Sequence, residues 1–269
     1  MYTDLDRPPL KVDELRRGLD SFYSSIEVVE KTGSTNADLI ARAGTPDADR
    51  SVLIAEFQES GRGRHSRTWV SPPQAQIAMS VLLTVPGIDP ADLGWLPLLT
   101  GVAAADALRS VAKVDAKLKW PNDVLVGGRK LAGILAEVAT TVPNPTVVVG
   151  IGLNVSLRED ELPVPTATSL ALVNADVTDR TTLVRALLRA IAARFSQWQD
   201  AGWAIDDLAA AYREHSGTIG SRVRAELPGG DVVTGVASDV DRQGRLLIDT
   251  GGGTVAVSAG DVTHLRAQV

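Results

Sequence analysis

The stretch Lys119-Trp-Pro-Asn-Asp123-Val-Leu-Val-Gly-Gly128-Arg-Lys130-Leu-Ala-Gly133-Ile-Leu-Ala-Glu137 reads as three short strands folded back on one another. Leu118 to Trp120, Val124 to Val126 and Leu131 to Val138 carry the apolar and β-branched side chains that strands favour. Pro121 and Asn122 supply a turn, and Gly127-Gly128 closes a hairpin, since glycine readily takes the left-handed backbone of a two-residue turn. Alternation along the third strand places Leu131, Gly133, Leu135 and Glu137 on one face. Asp123 opens the second strand and Lys130 stands at the mouth of the third. Taken alone, a lysine beside Gly-Gly reads as a solvated turn residue and Asp123 as a turn former.

Outward from this hairpin, Val147 to Leu153 supplies a further strand and Leu93 to Val111 has helical periodicity. Val52 to Gln58 and Ile77 to Val85 are strands flanking the loop Ser60-Gly-Arg-Gly-Arg-His-Ser-Arg67. Val12 to Leu19 reads as a short helix and Val28-Val29 as a strand. The polar turn Lys31-Thr-Gly-Ser-Thr-Asn36 follows, with Ser34 or Thr35 capping a helix through Ala41. Two amphipathic helices, Thr182 to Trp198 and Ile205 to His215, precede a tail of different texture. From Gly217, short β-rich runs (Arg222 to Leu227, Val232 to Val240, Leu246 to Ile248, Val255 to Val257) alternate with turn clusters at Pro228 to Asp231, Asp241 to Gly244 and Gly251 to Gly253. The pattern predicts an α/β (α+β) fold, a mixed sheet with helices over 1–216, followed by a small β-barrel over 217–269.

The chain of 269 residues has room for two such units. With 27 basic against 33 acidic residues the net charge is −6, which excludes a global attraction to nucleic acid or anionic membrane and requires any phosphate binding to be local. No cysteine is present, so disulfides, thiolate nucleophiles and Cys-ligated zinc are excluded. The start MYTDLDRPPL lacks the basic and apolar regions of a signal peptide, and no apolar run is long enough to span a bilayer, so a cytoplasmic location is expected.

The loop from Gly61 to Arg67, with Trp69 beyond it, is the most informative chemistry. Glycines let backbone approach an anion, and backbone N–H groups with forked guanidinium groups hold phosphate oxygens. A solvated basic loop or a small nucleic-acid contact fits the same residues. His65 has no ligand-spaced partner and reads as a solvated loop histidine.

Taken together, Gly33-Ser-Thr-Asn36, Gln58, Gly61-Arg-Gly-Arg64 with Arg67 and Trp69, Lys119-Trp-Pro-Asn-Asp123, Lys130-Leu-Ala-Gly-Ile-Leu135, Gly150-Ile-Gly-Leu-Asn154 and the β-rich tail resemble, in order, the bacterial biotin protein ligases in the form without an N-terminal DNA-binding domain. The resemblance implies a catalytic domain related to class II aminoacyl-tRNA synthetases and an SH3-like C-terminal domain. It implies an ATP-dependent ligase that activates biotin as biotinyl-5'-AMP, with Mg²⁺, and passes it to a lysine of the biotin carboxyl carrier domain of an acetyl-CoA, acyl-CoA or pyruvate carboxylase.

By the same resemblance, Ser34, Thr35, Asn36, Gln58, Gly61, Arg62, Gly63 and Arg64 surround biotin, Gly133 and Leu135 line its apolar slot, and Lys130 meets its carboxylate. Arg64, Arg67, Trp69, Asn122, Lys130 and Asn154 serve the nucleotide. Lys130, Arg64, Arg67 and Asp123 are the catalytic set, and Asp123 is left open between holding Mg²⁺, orienting a neighbour and accepting a proton. A lipoate or octanoate ligase shares this logic. A biotin-responsive repressor is disfavoured, because the residues before Ser34 hold one short helix and no room for a helix-turn-helix, so no DNA is expected. Homodimerisation is left open.

Overall fold

The computed structural model describes residues 7–227, 229–258 and 260–265, with Ser66 described by its backbone alone; residues 1–6 and Pro228 of the expected turn lie outside them. In chain order the first elements are α1 (Val12–Arg16), β1 (Ser25–Val29), α2 (Thr35–Arg42), β2 (Ser51–Ala55), β3 (Gly61–Arg62), β4 (Thr68–Trp69), β5 (Gln76–Thr84) and α3 (Trp95–Ala107). Then come β6 (Lys117–Lys119), β7 (Asp123–Val126), β8 (Arg129–Thr140), β9 (Thr146–Asn154), α4 (Arg180–Asp200) and α5 (Asp206–His215). The tail holds β10 (Arg222–Glu226), β11 (Val232–Val240), β12 (Leu246–Asp249), β13 (Thr254–Val257) and β14 (Asp261–His264).

Seven strands form one mixed sheet in the order β1-β2-β5-β9-β8-β7-β6, parallel between β1 and β2 and antiparallel elsewhere. Side chains alternate between the two faces of each strand. Val147, Val149, Ile151 and Leu153 of β9, with Ile77, Met79, Val81 and Leu83 of β5, join the helices α3, α4 and α5 in the main core. Leu53, Leu82 and Val148 point the other way and pack with Leu39 of α2 in a smaller core. Beyond α2 on that second face the sheet carries small residues. One row runs Asp123–Gly133–Gly152–Ala78 across β7, β8, β9 and β5, and a second runs Leu135–Gly150–Ser80.

Local differences from the sequence pattern have physical reasons. The helix expected to reach Leu19 ends at Arg16, ahead of Gly18 at a φ of 73°. The run Leu93 to Val111 divides into a 3-10 turn at Pro90–Gly94, the α-helix Trp95–Ala107 and a π turn at Leu108–Ala112. β2 stops at Ala55 rather than Gln58, because Glu56 turns into a buried ion pair with Arg180 (2.6 Å) and Gln58 bridges Thr32 instead.

The largest correction concerns Leu131. Val124 pairs with Ala132 while Leu125 pairs with Lys130, so a bulge inserts one residue into β8. The bulge turns Leu131 into the core, where it is fully buried, and puts Lys130 on the face that Gly133 and Leu135 share. The expected alternation holds from Gly133 onward and fails two residues before it, at Leu131.

The tail is a five-stranded antiparallel sheet in the order β13-β12-β11-β10-β14, whose inner face buries Val223, Ala225, Ala237, Val240, Leu246, Ile248, Val257 and Val262. β14 was not expected: Asp261-Val-Thr-His264 is short and offers one well-buried apolar side chain, Val262. Two tryptophans seat this sheet on the first. Trp95 Nε1 donates to the Arg242 carbonyl at 2.7 Å and Trp120 Nε1 to the Gly244 carbonyl at 3.0 Å. No helix among the described residues is long and apolar enough to cross a membrane.

The Glu56–Arg180 pair closes the edge of the main core, with Glu56 Oε1 also accepting from Leu10 N at 2.6 Å and Arg180 donating to the Pro8 carbonyl at 2.7 Å. Removing one partner strands a buried charge. Arg180→Ala is expected to lower unfolding stability by about 3–5 kcal/mol, read from urea unfolding; a loss below about 1 kcal/mol would show that the charge finds water or another partner.

Candidate active site

A cleft of about 500 Å³ opens over the small-residue rows, between α2, the β3–β4 hairpin, the β6–β7 turn and the end of the tail sheet. Ser34, Thr35, Asn36, Gln58, Arg62, Gly63, Arg64, Arg67, Trp69, Asn122, Asp123, Lys130, Gly133, Leu135 and Asn154 all line it. Of the residues singled out in the sequence, Gly61 alone stands behind the wall. There it lets β3 meet β4, since a Cβ would lie 2.4 Å from the Trp69 carbonyl oxygen.

One end of the cleft is finely hydrogen-bonded, and its cation, Arg62, is balanced by Glu137 at 3.6 Å. Ser34 caps α2, its hydroxyl accepting from Ala37 N at 3.5 Å. Thr35 N donates to Gln58 Oε1 at 2.8 Å, and the Thr35 hydroxyl meets Ser80 Oγ at 2.7 Å. Ser80 donates to Asn36 Oδ1 at 2.6 Å, and Asn36 Nδ2 donates to the Leu135 carbonyl at 3.1 Å and to Glu137 Oε2 at 2.8 Å. Gly150 makes room for this packing, because a Cβ there would sit 2.2 Å from Asn36 Oδ1.

The other end is cationic. Lys130 Nζ lies 2.6 Å from Asp123 Oδ1, an ion pair set off the hydrogen-bonding direction. Arg64 donates to Asn122 Oδ1 and to the Gly260 carbonyl, each at 3.4 Å, and Arg67 pairs with Asp261. Asn122 is itself fixed on β8, donating from Nδ2 to the Ile134 carbonyl at 2.8 Å. Burial pulls the Arg64 guanidinium below its ordinary pKa, and Arg67 adds to that, while Asp261 and Asp123 oppose it; a guanidinium keeps its charge under such a push. Asn154, buried, donates to the Thr168 carbonyl at 2.9 Å beneath the same end.

Between the two ends lies Trp69. Its ring rests on the glycine row: a Cβ on Gly152 would come within 2.4 Å of the indole and one on Gly133 within 3.0 Å. Trp69 Nε1 donates to Gln76, and Lys130 Nζ stands 5.5 Å from the ring centroid. Among the described residues no cluster of three His, Cys, Asp or Glu side chains could hold a metal ion. Asp123 and Asp261 are the carboxylates of the cleft, and both face cations.

Sequence reasoning missed Ser80, which sits inside an apolar strand run, and Asp261 with Val262 and Thr263, which come from the unforeseen β14. Gly150 and Gly152 stood in a recognised motif, and their period of two on β9 was the available signal.

A mixed sheet carrying a hydrogen-bonding pocket beside a cationic one, with a glycine-arginine hairpin over both, is an arrangement suited to a ligase that joins a small acid to a phosphate-bearing partner. The chain belongs to the biotin/lipoate A/B protein ligase family, whose sequence pattern matches residues 27–154, with residues 218–265 matching the biotin protein ligase C-terminal domain. It is 50% identical over 273 aligned residues to the biotin–[acetyl-CoA-carboxylase] ligase of Mycobacterium tuberculosis, covering 98% of this chain and 100% of that protein, which sets it among the biotin ligases. The bifunctional ligase/repressor BirA of Escherichia coli is 31% identical over 85% of this chain and 70% of its own length. The solved structure of the biotin protein ligase from Aquifex aeolicus in complex with biotin and ATP superposes with a TM-score of 0.76 over 91% of this chain and 100% of that one, at 24% identity, and so shares the fold.

The glycine row carries a direct consequence. Gly152→Ala is expected to lift Trp69 from the floor and weaken ATP binding by about tenfold or more, the scale of one lost stacking contact, in a calorimetric titration, with the urea midpoint little changed. Unaltered ATP affinity would mean that the indole can tilt at no cost.

Proposed function

We propose that this enzyme activates biotin with ATP as biotinyl-5'-AMP and transfers it to a lysine of a biotin carboxyl carrier domain, of an acetyl-CoA, acyl-CoA or pyruvate carboxylase, in the cytoplasm. The observation that carries this reading is the convergence of Arg64, Arg67 and Lys130 on one end of a cleft whose other end is hydrogen-bonding. Residues 1–216 act as the catalytic domain and residues 217–269 as the C-terminal domain. The latter supplies Asp261 and the Gly260 carbonyl to the site.

Biotin enters with its ureido ring among Ser34, Thr35, Gln58 and Arg62, its apolar body over Gly133 and Leu135, and its carboxylate toward Lys130. A small neutral ring suits a dry pocket with a few aimed groups. ATP lies beside it over Trp69 and Asn154, its phosphates toward Arg64, Arg67 and Asn122. Two unit anions about 4 Å apart repel by about 4 kcal/mol at an effective dielectric of about 20. Lys130 between the carboxylate and the α-phosphate, with the two arginines, offsets that repulsion and stabilises the charge that grows as the carboxylate oxygen attacks phosphorus and pyrophosphate leaves.

Asp123 orients Lys130, as their 2.6 Å separation supports. Mg²⁺ would arrive with the nucleotide, held mainly by phosphate oxygens with Asp123 as the cleft carboxylate open to it, and would supply further charge neutralisation. In the second half-reaction the neutral amine of the carrier lysine attacks the mixed anhydride and AMP departs. Closure of the glycine-arginine hairpin over the adenylate keeps water out until then.

The test is incubation with ATP, a carrier domain and biotin, lipoate or octanoate in turn, read by intact mass. A single biotin adduct on the carrier is expected; modification by lipoate or octanoate instead would overturn the biotin reading. Lys130→Ala is expected to slow single-turnover adenylate formation by about a hundredfold or more. A wild-type rate in that variant would remove Lys130 from the chemistry.

A further inference from the structure

Glu137 stands just outside the cleft, yet its two oxygens reach a residue of the floor and a residue of the hairpin. Oε2 accepts from Asn36 Nδ2 at 2.8 Å, and Oε1 lies 3.6 Å from the Arg62 guanidinium. A carboxylate and a backbone carbonyl accept hydrogen bonds and do not donate them. With Glu137 on one side and the Leu135 carbonyl on the other, both hydrogens of the Asn36 amide are spent and its orientation has a single solution.

That solution propagates. Asn36 Oδ1 faces Ser80, so the Ser80 hydroxyl must donate to it. Ser80 Oγ then has only lone pairs to offer Thr35, 2.7 Å away, so the proton of that contact is the Thr35 hydroxyl's, shared with Gln58 Oε1 at 3.1 Å. Gln58 Oε1 sits 2.8 Å from Thr35 N, which can only donate, so the Gln58 amide turns its oxygen inward. Its Nε2, with no hydrogen bond among the described residues, remains to serve a ligand in the cleft that Gln58 lines. The chain Glu137–Asn36–Ser80–Thr35 therefore has one direction, set where Glu137 and the Leu135 carbonyl together hold the Asn36 amide.

We infer that Glu137 is a positioning residue for biotin recognition: it fixes the donor and acceptor directions of the Asn36–Ser80–Thr35 wall without touching the ligand. The inference rests on the biotin-ligase reading above. It also reassigns Asn36, whose amide hydrogens are all engaged by protein, from ligand contact to keystone of the wall. In the absence of Glu137 the Leu135 carbonyl alone holds the Asn36 amide, whose second N–H loses its acceptor, and the Asn36–Ser80–Thr35 wall is kept in its one pattern less strictly.

The test compares wild type, Glu137→Ala, Glu137→Gln, Ser80→Ala and the Glu137→Ala/Ser80→Ala double variant by calorimetric biotin titration, with thermal melting and the ATP KM measured alongside. Binding of biotin by the wild type checks the underlying reading separately. Glu137→Ala is expected to weaken biotin binding by about tenfold, the scale of one lost hydrogen bond to a charged group, with the ATP KM unmoved. Glu137→Gln is expected to restore most of the affinity, because its amide oxygen still accepts from Asn36. The two alanine changes are expected to be strongly non-additive although their sites are joined only through Asn36. Additive losses, or a Glu137→Gln variant as weak as Glu137→Ala, would overturn the inference, the latter by assigning the effect to the Arg62 ion pair.

Discussion

The site depends on two rows of small residues running across the strands of one sheet. Asp123, Gly133, Gly152 and Ala78 lie side by side on four strands, with Leu135, Gly150 and Ser80 beside them. A side chain at Gly152 or Gly133 would displace Trp69 from the floor, and one at Gly150 would displace Asn36 from the wall. The same strands carry Val, Ile and Leu on their opposite face, where α3 and α4 cover them. Removing side chains from one face of a strand costs packing and backbone entropy. Here the loss falls where the other face is most deeply buried.

Onto that floor the chain brings charge from three directions. The β3–β4 hairpin contributes Arg64 and Arg67, the bulge in β8 turns Lys130 inward, and the tail sheet answers with Asp261 and the Gly260 carbonyl. These cations rest on protein acceptors rather than on each other. Lys130 is held by Asp123 at 2.6 Å, while the partners of the two arginines are weak or exposed enough to be exchanged: the Arg64 contacts are 3.4 Å long, and the Arg67 side chain is 64% exposed. An anionic substrate can take over such contacts at small cost, whereas a fully buried pair would resist. Trp95 and Trp120 hold the tail sheet in register through the carbonyls of Arg242 and Gly244, so the acceptors of the second sheet arrive at a fixed place.

Much of this was legible in the amino-acid order. Apolar runs located β5 and β9, alternation located most of β8, and a cap at Ser34 or Thr35 located α2, because each is a local property of a few consecutive residues. The glycine-arginine loop and Lys130 were recognised as the cationic end, and the structure gathers them in one cleft. Leu131 was misplaced because a bulge is set by the partner strand, which no local pattern records. Ser80 lies within an apolar run and carries no local signal; its role comes from Asn36 and Thr35, distant in sequence, that rest on it. Asp261 was missed for the same reason: β14 has little apolar signal of its own and exists through pairing with β10.

On the proposed reading, this floor lets a carboxylate and the α-phosphate of ATP approach one another under the cover of Lys130, Arg64 and Arg67. Exchange of labelled pyrophosphate into ATP, in the absence of any carrier protein, reads that approach without intervening steps. Exchange is expected on that reading only when biotin is added, since reversal of the first half-reaction needs no carrier. Exchange that ignores biotin, or none at all with biotin and ATP both bound, would contradict it.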